Sequence, residues 1–177
     1  MRWLYRSVAV ILTVILIAFL YQKVFGGTTV EPHLVSSEPV AVIGSGDEAV
    51  AVADDGTVLT WLALPEDVRL PQLPLGSPPK GLRVEGPVLE QVRVLAAAPA
   101  ALRPYVAGSQ FGESGVDVEL SSGIELRFGS VSDAARKWRA AAAVLADPSI
   151  TALDYVDVTA PGRPAVRGSG HTLPPIE

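Results

Sequence analysis

Two histidines and two Gly-Ser-Gly segments are the parts of this sequence most typical of nucleophilic catalysis. A Ser-His-Asp arrangement needs the imidazole within about 3 Å of its partners. His33 and His171 lie near the two ends of the chain, in a predicted connector and a predicted tail that are poorly suited to holding a ring in place. Gly44-Ser45-Gly46 and Gly168-Ser169-Gly170 lack the strand-to-helix context of a nucleophile elbow or a phosphate loop. We therefore predict that the chain is not an enzyme.

The sequence also lacks the groups of ligating residues that a metal site requires. The sequence contains no cysteine, which excludes disulfides, thiolate zinc sites and iron–sulfur clusters. Asp54 and Asp55 are adjacent in a predicted turn, where their carboxylates would point apart, and Asp47-Glu48 has too few nearby oxygen ligands for a calcium loop. We expect no cofactor, no metal and no small-molecule substrate.

Length and composition limit the class of protein. A chain of 177 residues allows one domain plus an appendage. The net charge of -5 removes the basic excess that binding to nucleic acid requires. With 49% hydrophobic and 19% charged residues, the composition is that of a folded domain carrying a membrane segment.

The residues at 7–25 are predicted to form a transmembrane helix. Nineteen helical residues span roughly 28 Å, close to the thickness of the hydrocarbon core. Val8, Ile11, Ile15 and Phe19 are the predicted membrane-anchor residues. A cleaved signal peptide is the alternative, but the stretch 18–25 has no A-x-A pattern, so a retained anchor is favoured.

Flanking charges predict the orientation of this helix. Arg2 and Arg6 precede it and only Lys23 lies at its other end, so the positive-inside rule places residues 1–6 in the cytoplasm. Residues 26–37 are then a tether, and the rest of the chain is extracytoplasmic. This predicts a single-pass protein of the cytoplasmic membrane.

Beyond the tether, the pattern predicts an α+β domain in which an antiparallel, mostly hairpin-built sheet is packed by two helices. Asp54-Asp55-Gly56 between two apolar runs indicates a hairpin turn. The clearest alternation of apolar and polar residues covers 116–120 and 124–128, which predicts a second hairpin with one buried face. Residues 70–75 carry two prolines and are predicted to lie at an edge or in an extended connection, not in a central strand.

Helical spacing of apolar residues predicts the two helices. One begins at Pro87 and buries Val88, Val92, Leu95 and Ala96. The other is capped by Ser132 and buries Ala134, Trp138, Ala141, Ala142 and Leu145. Further strands are predicted around Val156 and at residues 165–167, with Asp154 and Asp157 facing solvent or ending their strand. Residues 168–177 are predicted to be a disordered tail.

The order of these elements over residues 38–167 resembles the extracytoplasmic β domain of the bacterial cell division proteins FtsQ and DivIB. The matching segments are Glu38-Pro39-Val40-Ala41-Val42, residues 52–58, Leu70-Pro71-Gln72-Leu73, residues 118–129, Lys137, residues 153–158 and residues 161–166. The family normally carries a POTRA domain between membrane and β domain, and the connector of about a dozen residues here is too short to hold one.

The resemblance implies a bitopic scaffold of septum formation that recruits single-pass divisome proteins of the FtsB/FtsL type. It implies that recruitment occurs at the last strand, where we predict Pro164, Ala165, Val166 and Arg167 as the partner-binding edge. An open edge can add a strand from another chain, unless the tail folds back and covers it. The alternative function is a membrane-anchored envelope binding protein or hydrolase unrelated to division.

Overall fold

A computed structural model describes residues 38–65, 68–77 and 79–172. The predicted cytoplasmic residues 1–6, the predicted membrane helix with Val8, Ile11, Ile15 and Phe19, and the predicted tether at 26–37 lie outside these ranges. Within the described ranges, no helix combines the length and the apolar character that a membrane crossing requires.

The first three strands form a small antiparallel sheet in the order β1-β2-β3. Its strands are β1 (Pro39–Ile43), β2 (Val50–Ala53) and β3 (Val58–Leu59). The predicted Asp-Gly hairpin is confirmed between β2 and β3. Gly56 takes a φ of +87°, and the Asp55 carboxylate accepts hydrogen bonds from the N–H and the hydroxyl of Thr57, both at 2.9 Å. These bonds lower the pKa of Asp55.

The remaining strands form a five-stranded sheet in the order β4-β5-β6-β7-β8. They are β4 (Val106–Gly112), β5 (Gly115–Leu120), β6 (Glu125–Gly129), β7 (Ala152–Asp157) and β8 (Ala165–Thr172). All neighbours are antiparallel except β6 and β7, which are parallel. The prediction of a wholly antiparallel sheet was wrong at this pair. The chain between β6 and β7 forms a helix, and such a crossover returns the next strand in the same direction.

The predicted hairpin of alternating residues is confirmed as β5 and β6. Its buried side chains are Val116, Val118, Leu120, Leu126 and Phe128. Strand β4 was not predicted, because its sequence Val-Ala-Gly-Ser-Gln-Phe-Gly contains little apolar alternation. The pairing of β4 with β5 therefore became visible only in the structure.

Residues 70–75 join the two sheets as an extended connection that is not itself a strand, as predicted. Gln72 is bridged in parallel to Val42 of β1 on one side and to Gly108 of β4 on the other. The N–H of Gln72 donates to the carbonyl of Ala107 at 2.8 Å, and the N–H of Leu73 donates to that of Val42 at 2.9 Å. The prolines at 71 and 74 flank these two N–H groups without interrupting them.

Two helices pack against the sheets: α1 (Gly86–Ala96) and α2 (Ala134–Leu145). Both predicted helices are confirmed, with Pro87 in the first turn of α1. The prediction that Ser132 caps α2 was wrong. The residue before this helix is Asp133, which has a φ of +57° and no side-chain capping bond.

Trp138 of α2 lies at the centre of the main core and is fully buried, as predicted. Its ring packs on Phe128 of β6 with centroids 4.9 Å apart. Its indole N–H donates to the carbonyl of Val94 in α1 at 2.7 Å. One side chain thus connects both helices to the five-stranded sheet.

Lys137 is also buried, with 4% of its surface exposed. Its ammonium group donates to the carbonyls of Phe128 and Ser130, both at 2.8 Å. Burial lowers the pKa of this amine. Lys137, one of the residues on which the family resemblance rests, therefore connects α2 to the end of β6.

Candidate functional site

Strand β8 forms one edge of the five-stranded sheet. It pairs with β7 on one side, and all eight of its residues are exposed. Among the described residues, no segment pairs with its other side. We call that side of Ala165–Thr172 the open edge. An unpaired row of backbone N–H and carbonyl groups can pair with an extended segment of another chain.

The other sheet margins are covered. The outer side of β4 is bonded to Gln72, whose carbonyl accepts the N–H of Ser109 at 3.1 Å. The outer side of β3 is bonded to the segment before α1, where the N–H of Val58 donates to the carbonyl of Leu82 at 2.8 Å. Within the part of the chain that the structure describes, β8 is the margin that remains available.

Of the four predicted edge residues, three begin β8 and one lies directly before it. Pro164 immediately precedes the strand, and Ala165, Val166 and Arg167 lie opposite Asp157, Val156 and Tyr155 of β7. Their predicted role in partner binding stays a prediction.

The strand is longer than predicted. His171 and Thr172 pair with Leu153 and Ala152, so the prediction that a disordered tail begins at residue 168 was wrong for residues 168–172. Gly168-Ser169-Gly170 has no alternation of apolar and polar side chains, so its sequence gave no indication that the strand continues to Thr172. Residues 173–177 lie outside the described ranges.

Two side chains give the open edge a different character on its two faces. Val166 lies beside Val156, which is buried in the core, and 45% of Val166 is exposed. Arg167 lies beside Tyr155 on the opposite face, because successive residues of a strand point to opposite sides. The open edge therefore has an apolar residue on its core side and a cation on its outer side.

The outer face of the sheet next to this edge carries a charged cluster. Its central cation is Arg127 of β6, which is paired with Asp117 of β5 and Asp157 of β7 in the strand register. Arg127 also forms an ion pair with Glu125, and its guanidinium lies 3.7 Å from the centre of the Tyr155 ring. The hydrogen bond that Arg127 donates to the carboxylate of Glu125 raises the pKa of Arg127.

Asp117 is a partly buried carboxylate of this cluster. Burial raises its pKa, the charges of Glu125 and Asp157 add to the increase, and Arg127 opposes it. One of its oxygens, Oδ1, is buried and has no hydrogen-bond partner. Within the described residues, no group of three or more acidic or histidine side chains has an arrangement that could hold a metal ion.

We expect Asp117→Asn to stabilise the domain at neutral pH. A carboxyl whose pKa is raised by folding binds more protons in the folded state, so stability falls as pH rises from the unfolded pKa through the folded one. The amide removes that loss, and its gain should be present at pH 7 and disappear below about pH 4. Urea unfolding of both chains between pH 3 and pH 8 measures this difference.

Glu119→Gln provides the matched control, since Glu119 lies on the same strand and is exposed. This change should alter the free energy of unfolding by less than about 0.5 kcal/mol at any of these pH values. A pH-independent effect of Asp117→Asn would contradict the explanation by burial.

The residues first considered for catalysis are divided between the two sheets. His171 and Gly168-Ser169-Gly170 lie on β8, with His171 opposite Leu153, whereas Gly44-Ser45-Gly46 follows β1 of the three-stranded sheet. His33 lies outside the described residues. Asp154 is exposed, in agreement with the prediction that it faces solvent, but its Oδ1 also accepts a hydrogen bond from the N–H of Gly170 in β8, which was not predicted.

A groove of about 390 Å³ lies between β1, α1 and the segment at 69–71. Its walls include the apolar side chains of Val40, Leu70 and Leu95. The guanidinium of Arg103 at this groove is 3.1 Å from Glu38 and also donates to the carbonyl of Ala98. The groove thus presents an apolar surface with one ion pair.

Comparison with protein families gives one finding for this chain. The model of the family described as "Cell division protein FtsQ/DivIB, C-terminal" matches residues 41–159. The match begins inside β1 and ends just beyond β7, so it covers about two thirds of the chain and stops before β8. No curated protein matches the chain.

Proposed function

Because the chain belongs to the FtsQ/DivIB family of cell division proteins, we propose that it is a non-enzymatic scaffold that recruits a divisome partner through β8. The partner class is the single-pass FtsB/FtsL type that the resemblance implies. An extended segment of that partner would add to the open edge as a further strand. The family membership itself assigns the chain a role related to cell division.

The observation that carries this proposal is the open edge. All eight residues of β8 are exposed, while the corresponding margins at β3 and β4 are bonded to other described segments. In strand addition, main-chain hydrogen bonds supply affinity and neighbouring side chains supply selectivity. The side chains of Val166 and Arg167 lie where they can supply this selectivity. Pro164 has no N–H to donate, which limits pairing toward the amino end.

We further propose that residues 7–25 anchor the scaffold in the cytoplasmic membrane, with residues 1–6 in the cytoplasm and the domain outside. The length and apolar character of this segment support the anchor, and the flanking arginines support the orientation. A protein with this topology and this family membership would act at the division septum.

The alternative, an envelope binding protein or hydrolase, requires a pocket with convergent polar groups. The groove beside Val40 has mainly apolar walls, and Arg103 there is engaged by Glu38. The charged cluster around Arg127 is likewise internally paired. Neither of these two places presents the convergent, unpaired polar groups that the alternative requires.

Depletion and rescue in the source bacterium test the proposal. Depleting the chain should produce filamentous cells, and a fluorescent full-length chain should restore division and localise to septa. A chain that ends at Arg163 should reach the membrane but fail to retain FtsB/FtsL-type proteins during co-purification. Circular dichroism of the truncated chain checks that the remaining domain is folded.

Two results would count against the proposal. Normal division after depletion would contradict the scaffold role. Equal recovery of partners with the truncated and full-length chains, both at the membrane, would contradict recruitment through β8.

A further inference from the structure

Strand β8 contains a bulge near its middle. Arg167 pairs with Tyr155 and His171 pairs with Leu153, so Gly168-Ser169-Gly170 lies opposite the single residue Asp154. Two extra residues are thus accommodated in the edge strand. Bulges of this kind bend a strand, increase its twist and interrupt regular pairing.

The carboxylate of Asp154 holds this bulge. Its Oδ1 accepts a hydrogen bond from the N–H of Gly170 at 2.9 Å. Gly168 has a φ of +96°, a conformation that favours glycine. A Cβ at Gly168 would overlap the Asp154 carboxylate, and one at Gly170 would lie 2.5 Å from Oδ1. The arrangement therefore requires glycine at position 168, and a side chain at position 170 would displace the Asp154 carboxylate.

The bulge divides the open edge into unequal parts. Before it, Ala165, Val166 and Arg167 continue the register with β7 without interruption. After it, His171 and Thr172 are the paired residues within the part of the chain that the structure describes. Pro164 lacks an N–H at one end, and at the other end the bulge interrupts the register, so the regular part of the edge is bounded at both ends.

We propose that Asp154 is a positioning residue that ends partner pairing at Arg167. The partner then contributes a short extended segment whose ladder covers residues 165–167 and does not continue to Thr172. Natural sheets use edge bulges to limit pairing with other chains, and here the same device sets the length of the strand that is accepted. This inference rests on the proposed function of β8 and specifies how the edge is used.

Hydrogen–deuterium exchange resolved to single amides tests the inference on the full chain, with and without the FtsB/FtsL-type protein that co-purifies with it. Partner binding should slow exchange within residues 165–167 and leave residues 171 and 172 unchanged. Deleting Ser169 and Gly170 places Gly168 opposite Asp154 and makes the register continuous. In that variant the slowed amides should extend to Thr172.

Asp154→Ala and Asp154→Asn distinguish positioning from simple stabilisation. The alanine variant should speed exchange of the Gly170 amide about tenfold or more in the free chain, and the partner footprint should no longer stop at Arg167. The asparagine variant keeps an acceptor oxygen and should retain the wild-type footprint. Asp157→Asn is the matched control, because Asp157 bonds Thr159 rather than the bulge.

The possible outcomes separate this inference from the proposed function. A wild-type footprint that includes residues 171 and 172, or one that Asp154→Ala leaves unchanged, would overturn the inference and leave edge recruitment intact. A bound partner without any footprint on β8 would overturn both, as would the absence of a bound partner.

Discussion

Trp138→Ala is expected to lower the free energy of unfolding by about 4 kcal/mol. Truncation of a large buried aromatic side chain to alanine typically costs about 3–5 kcal/mol. The indole is fully buried, packs on Phe128 at a centroid distance of 4.9 Å and bonds the carbonyl of Val94. Its removal leaves a cavity between α2 and the sheet and an unpaired carbonyl in α1. Urea unfolding of the purified chain measures the loss.

Two further variants determine which contact matters. Trp138→Phe keeps an aromatic ring against Phe128 but removes the N–H, so its loss should be smaller than that of alanine by about 1–2 kcal/mol. Trp61→Ala is the matched control, since 76% of Trp61 is exposed, and it should change stability by less than about 0.5 kcal/mol. Similar losses for Trp61→Ala and Trp138→Ala would show that the core is not organised around Trp138.

The parts of the fold that the sequence predicted are those specified by side chains. Burial of Val116, Val118 and Leu120 requires alternation in a strand whose two faces differ. The positive φ of Gly56 explains why Asp-Gly indicated a hairpin. Trp138 was recognised as core because it lies on the apolar face of a helix. In each case the local conformational preference and the tertiary packing favour the same type of residue.

The parts that the sequence did not predict are held by the main chain. Gln72 connects two sheets through backbone bonds that any residue except proline could form. Strand β4 and the end of β8 contain glycine and serine, which carry no periodic apolar signal. The same property limits prediction of the candidate site: Ala165, Val166 and Arg167 could be assigned to a last strand, but the Asp154 bulge depends on a register that only the folded sheet defines.

The function proposed for β8 also depends on backbone groups, so the sharpest test changes the backbone. Residues facing each other in an antiparallel pair alternate between hydrogen-bonded and non-hydrogen-bonded positions. Val166 and Arg167 are successive in the register, opposite Val156 and Tyr155. One of their two N–H groups therefore points to β7, and the other points to the open edge.

Val166→Pro and Arg167→Pro should consequently have different effects. The proline that removes the N–H facing β7 should lower the free energy of unfolding by about 1–3 kcal/mol, because it leaves a carbonyl of β7 without its donor. The proline that removes the N–H facing the open edge should leave stability nearly unchanged and weaken partner binding about tenfold or more. Urea unfolding and quantitative co-purification of both variants measure the two effects.

Alanine at the same positions provides the controls, since it changes the side chain and keeps the N–H. Arg167→Ala separates loss of the cation from loss of the donor, and Val166→Ala separates loss of the apolar contact beside Val156. If partner retention follows the alanine variants as closely as the proline variants, side-chain contacts dominate and strand addition is not the mode of binding. If only one proline abolishes retention while the domain stays folded, the partner binds the outward-facing backbone of β8.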